Sequence, residues 1–112
     1  MNPIQFEDII KGKEEAFVII LEKDYFGSCF LMRPVVKDLK HQYKNKLRFY
    51  TINETFAPLF IKNLVIKQYP TFLFFNKKEL CIKEEGCLNR WQLFKIVKQF
   101  YQNAKLLKNS TI

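Results

Sequence analysis

The sequence predicts an α/β domain built on a mixed sheet, and three observations carry that prediction. Residues 16 to 21, Ala-Phe-Val-Ile-Ile-Leu, are a continuous apolar run rich in β-branched side chains, as in a strand covered on both faces. Cys29, Met32, Val36, Leu39 and Tyr43 then recur at helical spacing, which gives a helix of about fifteen residues with one apolar stripe. Further on, Thr71 to Phe75 and Leu80 to Lys83 flank the polar turn Asn76-Lys77-Lys78-Glu79 and read as a hairpin. A helical crossover makes the first two strands parallel, and a tight turn makes the last two antiparallel.

The remaining elements follow in order. Phe6, Ile9 and Ile10 sit at i, i+3, i+4, one face of a short helix over residues 3 to 12 that Gly12 would stop. A break follows the first strand, from Glu22 to Ser28. Pro34 lies inside the next helix, where it removes a backbone hydrogen bond and is expected to kink it. Residues 46 to 52 alternate loosely and read as the second strand. Phe56, Leu59, Phe60 and Leu64 mark a short helical stretch, with Pro58 suited to its first turn. In the last strand Leu80 and Ile82 are expected on one face, with Cys81 packed on the other. Gly86 breaks that strand and Asn89 is a good N-cap. Leu93, Phe94, Val97, Phe100, Tyr101 and Ala104 mark the closing helix, followed by a tail over about 106 to 112 expected to be flexible. The order is α-β-α-β-α-β-β-α, in a single domain over residues 1 to 112 with its core at about 14 to 102.

Composition narrows the function. The chain has 112 residues, 48% of them hydrophobic and 27% charged, which excludes intrinsic disorder. Lys and Arg number 19 against 11 Asp and Glu, for a net charge of +8. Nucleic-acid binding is one reading of that excess. Against it, only Arg33, Arg48 and Arg90 are arginines, and the lysines are scattered rather than clustered. Three cysteines, Cys29, Cys81 and Cys87, do not close a disulfide framework. No run reaches the ~18 apolar residues of a membrane span. The N-terminus lacks a basic segment followed by an apolar one, so a cytoplasmic location with free thiols is expected. Neither Cys-x-x-Cys nor a His partner accompanies the thiols, so neither a metal site nor a cofactor is expected. His41, between Lys40 and Gln42, reads as solvated, as do Glu84-Glu85 and Glu22-Asp24, though Asp24 lies near enough to the stretch Tyr25 to Cys29 to touch a partner.

The order of elements and four landmarks in register resemble the thioredoxin family. Tyr25-Phe26-Gly27-Ser28-Cys29 stands where that family carries Trp-Cys-Gly-Pro-Cys. Pro34 falls five residues after Cys29, as the family's helix-kinking Pro does after its second Cys. Tyr69-Pro70-Thr71 is similar to the family's Ile-Pro-Thr, whose Pro is cis and faces the active site, and Gly86 matches the glycine that lines the substrate groove. The resemblance spans about residues 14 to 102 and implies a thioredoxin-like fold, a central mixed sheet flanked by helices on both faces, with Tyr69-Pro70 cis.

The departures from the family bear on function. Phe26 occupies the position of the attacking thiol, while Cys29 keeps that of the resolving one. The family's buried Asp corresponds to Ile20, and its Lys partner to Thr51. Dithiol exchange needs two sulfurs with Cα atoms within about 7 Å, and Phe26 supplies none. The first reading is therefore a redox-inactive module that binds a protein or peptide. Its groove would be formed by Tyr25, Gly27, Ser28, Tyr69, Pro70 and Gly86, with Phe26 and Trp91 nearby, and strand addition would supply the main-chain bonds. In the opposing view of Phe26, its ring folds inward and plugs a hole. The second reading is a monothiol oxidoreductase acting through Cys29 by mixed disulfides or glutathionylation, the helix N-terminus favouring its thiolate. A pairing of Cys29 with Cys87 is a variant of it, and nucleic-acid binding is the third reading.

Overall fold

In the computed structural model, which describes residues 16–57 and 59–110, the first apolar run forms strand β1, Ala16–Glu22. Helix α1, Gly27–Gln42, follows, then strand β2, Arg48–Asn53. A single 3-10 turn, Glu54–Phe56, leads to the short helix α2, Leu59–Lys62. Strands β3, Thr71–Asn76, and β4, Glu79–Glu85, precede the closing helix α3, Arg90–Ser110. The helix expected over residues 3 to 12, and Pro58, lie outside the described residues.

The four strands form one sheet in the order β2-β1-β3-β4. β1 pairs parallel with β2 and antiparallel with β3, and β3 pairs antiparallel with β4. β1 is thus central, which explains its unbroken apolar run. Phe17 to Leu21 are each at most 2% exposed, because alternate side chains enter different cores. Val18 and Ile20 pack with Met32, Val36 and Leu39 of α1 and with Leu93, Val97 and Phe100 of α3. Phe17, Ile19 and Leu21 pack on the other face with Cys29, Ile52, Ile61, Tyr69 and Leu73. α1 and α3 therefore lie over one face, and α2 over the other.

Asn89 caps α3 as its sequence position predicts. Its side-chain oxygen accepts from the Gln92 N–H at 2.8 Å, and the Gln92 side chain accepts from the Asn89 N–H at 3.4 Å. This reciprocal pair is a capping box. α3 runs on to Ser110, through part of the segment for which a flexible tail is expected. Pro34 lies inside α1, as expected. The middle helical stretch splits into the 3-10 turn and α2, because Asn53 caps the former by accepting from the Thr55 N–H at 2.9 Å.

The last strand departs from the expected pattern. Phe74 pairs with Ile82 and Phe75 with Leu80, so Cys81 is an extra residue in a β-bulge. Phe74 and Phe75 point to opposite faces, and so do Ile82 and Leu80. The bulge also turns Cys81 out to solvent, where its thiol lies 3.6 Å from the Glu79 carbonyl, rather than into packing.

Candidate functional site at the start of helix α1

The break after β1 ends on two residues of unlike backbone. Tyr25 has φ +70, in the left-handed region, and its side chain is fully exposed. Phe26 is extended and forms the N-cap of α1, without a side-chain capping bond and without an acidic residue in the first turn. The Cys29 N–H donates to the Phe26 carbonyl at 3.1 Å, which closes the first turn over the cysteine. Gly27 is exposed at the head of the helix.

The peptide bond between Tyr69 and Pro70 is cis, as expected. Ser28 ties this segment to α1, its hydroxyl donating to the Tyr69 carbonyl. The Phe26 ring meets the Tyr69 ring edge-on at 5.2 Å between centroids. Lys23 Nζ lies 5.9 Å from the Phe26 centroid and 5.6 Å from that of Tyr69. The predicted cluster is therefore assembled, but its exposure differs from expectation. Tyr69 is 7% exposed and belongs to the core, Pro70 is buried, and Phe26 is half-buried against them. Only Tyr25 stands clear, with Phe30 as an exposed aromatic neighbour in the chain. Trp91 is exposed with Lys95 over its ring, and no ring contact joins it to the cluster among the described residues.

Gly86 closes the other side. Its N–H donates to the Pro70 carbonyl at 2.9 Å, and its φ is +86. A methyl group there would also collide with Gln68 Oε1. We expect Gly86→Ala to lower the free energy of unfolding by about 1–2 kcal/mol, measured by urea denaturation, since an L side chain is strained in that conformation.

Glu85, read from sequence as a solvated charge, is a structural anchor. Its Oε1 accepts from the N–H groups of Lys67 at 2.5 Å and Gln68 at 3.1 Å, immediately before the cis bond. Those two bonds hold its carboxyl below the usual range, with Lys83 adding to the effect. Asp24 likewise has a partner within the chain, accepting from Asn53 Nδ2 at 3.0 Å, and Glu22 pairs with Arg33 at 3.5 Å. Glu84 is half-buried and His41 exposed. Neither anchor was legible locally, because the partners are 18 and 29 residues away. Phe30 did carry a signal, since it falls off the apolar stripe of α1 and so had to be exposed.

All three cysteines are free thiols, with Cys29 buried and Cys81 and Cys87 exposed. Burial pushes the Cys29 thiol above its ordinary range, and the Glu22 charge adds to this, while the Lys23 backbone and Arg33 oppose it. The desolvation of the thiolate therefore outweighs the Lys23 backbone bond and the Arg33 charge. A thiol whose proton is held more tightly in the fold favours folding below the free-thiol pKa of about 8.5. That contribution is lost as pH rises through the higher folded value. With iodoacetamide at neutral pH, we expect Cys81 and Cys87 to react promptly and Cys29 at least about a hundredfold more slowly. Peptide mass spectrometry reads this, and the Cys29 lag should shrink at alkaline pH.

Among the described residues no group of three His, Cys, Asp or Glu side chains gathers as a metal site, and no helix is long and apolar enough to cross a membrane. The family model for thioredoxin matches residues 1–99. The chain belongs to the thioredoxin family. It is 26% identical over 88 residues to thioredoxin Y1 of Arabidopsis thaliana chloroplasts, covering 79% of this chain and 51% of that one. It thus spans about half the length of the chloroplastic thioredoxins it matches. A thioredoxin-like protein of Synechocystis is 21% identical over 85% of this chain and 87% of its own. A solved structure from work on thiol resolution in yeast mitochondrial 1-Cys peroxiredoxin, through the glutathione and thioredoxin systems, superposes with a TM-score of 0.73. It is 26% identical and covers 88% of this chain and 90% of its own. The thioredoxin-like fold expected from the four landmarks is therefore the fold of this chain.

The resemblance aligns Ile20 and Thr51 with the family's buried Asp and its Lys partner. Ile20 and Thr51 stand opposite each other in the β1–β2 register. Ile20 is 2% exposed within an apolar core, where it can neither take up nor release a proton.

Proposed function

We propose that this thioredoxin-family chain binds a protein or peptide in the groove beside Pro70 and does not exchange dithiols. The observation that supports the reading is the Phe26 ring packed on Tyr69, at the position that the resemblance aligns with the attacking thiol. Cys29 is buried without a second sulfur bonded to it. The groove segment is nonetheless held in place by Ser28, Gly86 and Glu85. Tyr25 projects beside it as a large ring with no neighbour to cover it, the kind of residue that anchors contacts.

Dithiothreitol-driven reduction of insulin tests the claim about catalysis. The rate with the chain present should equal the rate with dithiothreitol alone, and clear turnover overturns the reading. Peptides selected by display test the claim about binding. Their titration should move the amide signals of Tyr25, Phe26, Tyr69 and Thr71. Prompt alkylation of Cys29, abolished in Cys29→Ser, would instead favour a monothiol oxidoreductase.

A further inference from the structure

A cleft of about 290 Å3 opens between α1 and the β1–β2 pair, on the α1 side of the sheet. Its floor is apolar, made by the buried Ile20, Met32 and Val36, and it runs on to Cys29 and Pro70 at the end nearer the start of α1. Its wall is cationic, made by Arg33, Lys37 and Lys40 of α1, with Thr51 of β2 opposite. Arg33, Lys37 and Lys40 are four and three residues apart, so they stand one above another on a single helix face. Like charges at that spacing destabilise a helix, and an anion between them would relieve the repulsion.

Glu22 offsets one of these charges through Arg33 at 3.5 Å, leaving a lining of two net positive charges from three cations and one carboxylate. Lys40 Nζ reaches Thr51 Oγ1 at 3.4 Å, which places a donor at the strand wall, over the Ile20–Thr51 pair. Lys37 is exposed at the middle of the row. A ligand complementary to this lining has one anionic head, met by Lys37 and Lys40, and a short apolar body lying on Ile20, Met32 and Val36. The volume is at the lower end for ligand clefts, which limits the body to a small group.

We propose that this cleft binds a small organic carboxylate with a short apolar body. The cleft reaches Cys29 and Pro70 and so adjoins the groove, but its anion rests on Lys37 and Lys40, which the groove reading does not use, so a double variant at those two lysines separates the two. Backbone amide shifts in titrations with 4-phenylbutyrate, its neutral amide and inorganic phosphate provide the test. Phenylbutyrate should give saturable shifts at residues 33–40 and Thr51. The amide and phosphate should each bind at least about tenfold more weakly, the first for want of charge and the second for want of an apolar body. Lys37→Glu with Lys40→Glu should weaken phenylbutyrate about tenfold or more, with an unchanged melting temperature, as both side chains are exposed. Equal binding of the amide or of phosphate overturns the proposal. So do shifts confined to Tyr25 and Tyr69, shifts that survive the double variant, or no saturation by about 10 mM.

Discussion

Phe26→Cys is expected to convert the chain into a dithiol oxidoreductase. The first turn of α1 is already closed, with the Cys29 N–H bonded to the residue 26 carbonyl at 3.1 Å, and the residue 26 backbone is extended as an N-cap requires. A thiol introduced there would lie one helical turn from Cys29, within the Cα separation a disulfide tolerates. It would also sit at an uncapped helix N-terminus near the Lys23 ammonium, which now hovers 5.9 Å from the Phe26 centroid. Both features favour a thiolate, so the introduced sulfur should be the more acidic of the two. Oxidation should remove two hydrogens from the intact mass, and insulin reduction should rise by orders of magnitude over the parent chain. Without a carboxylate at Ile20, the variant should remain about a hundredfold slower than an enzyme with general acid–base help. A variant that folds, forms no disulfide and shows no turnover would mean that more than the missing sulfur separates this chain from catalysis.

Tyr25→Asn is the second large effect, and it separates binding from stability. Tyr25 is held at φ +70, a conformation that costs a bulky L residue about 1 kcal/mol or more and that asparagine tolerates. Its side chain is fully exposed, so the substitution removes no packing. The urea midpoint should stay level or rise. Affinity for a display-selected peptide should fall by about thirtyfold, the loss of about 2 kcal/mol common at anchoring aromatics. A fall in stability with unchanged affinity would make Tyr25 a structural residue and move the contact surface elsewhere.

The contrast between Tyr25 and Tyr69 shows which parts of the site were legible in the sequence. Both stand beside a family landmark, and the chain order placed both in one groove. Which would be exposed was decided by backbone and packing that no local pattern encodes. The left-handed turn throws Tyr25 outward, while Tyr69 packs into the core with Leu73 and Cys29. The strands and helices themselves were readable because their apolar residues repeat with the right period. β1 was the clearest, since a central strand with both faces covered admits no polar position. The Glu85 anchor was not readable, as its two N–H partners come from a loop on the far side of β3 and β4. The cleft beside α1 was equally hidden. Arg33, Lys37 and Lys40 form a row only once the helix exists, and the row faces a cavity only because Ile20 and Thr51 lie beneath it.

The bulge at Cys81 has a consequence for how this chain behaves at high concentration. β4 is a border of the sheet among the described residues, and a straight border strand offers its free amides and carbonyls to any neighbour. The extra residue breaks that offer midway, and Glu79, Lys83, Glu84 and Glu85 surround it with charge. Copies of the chain should therefore not zip together along this rim into fibrils, even though the strand beside it is among the most apolar segments of the molecule.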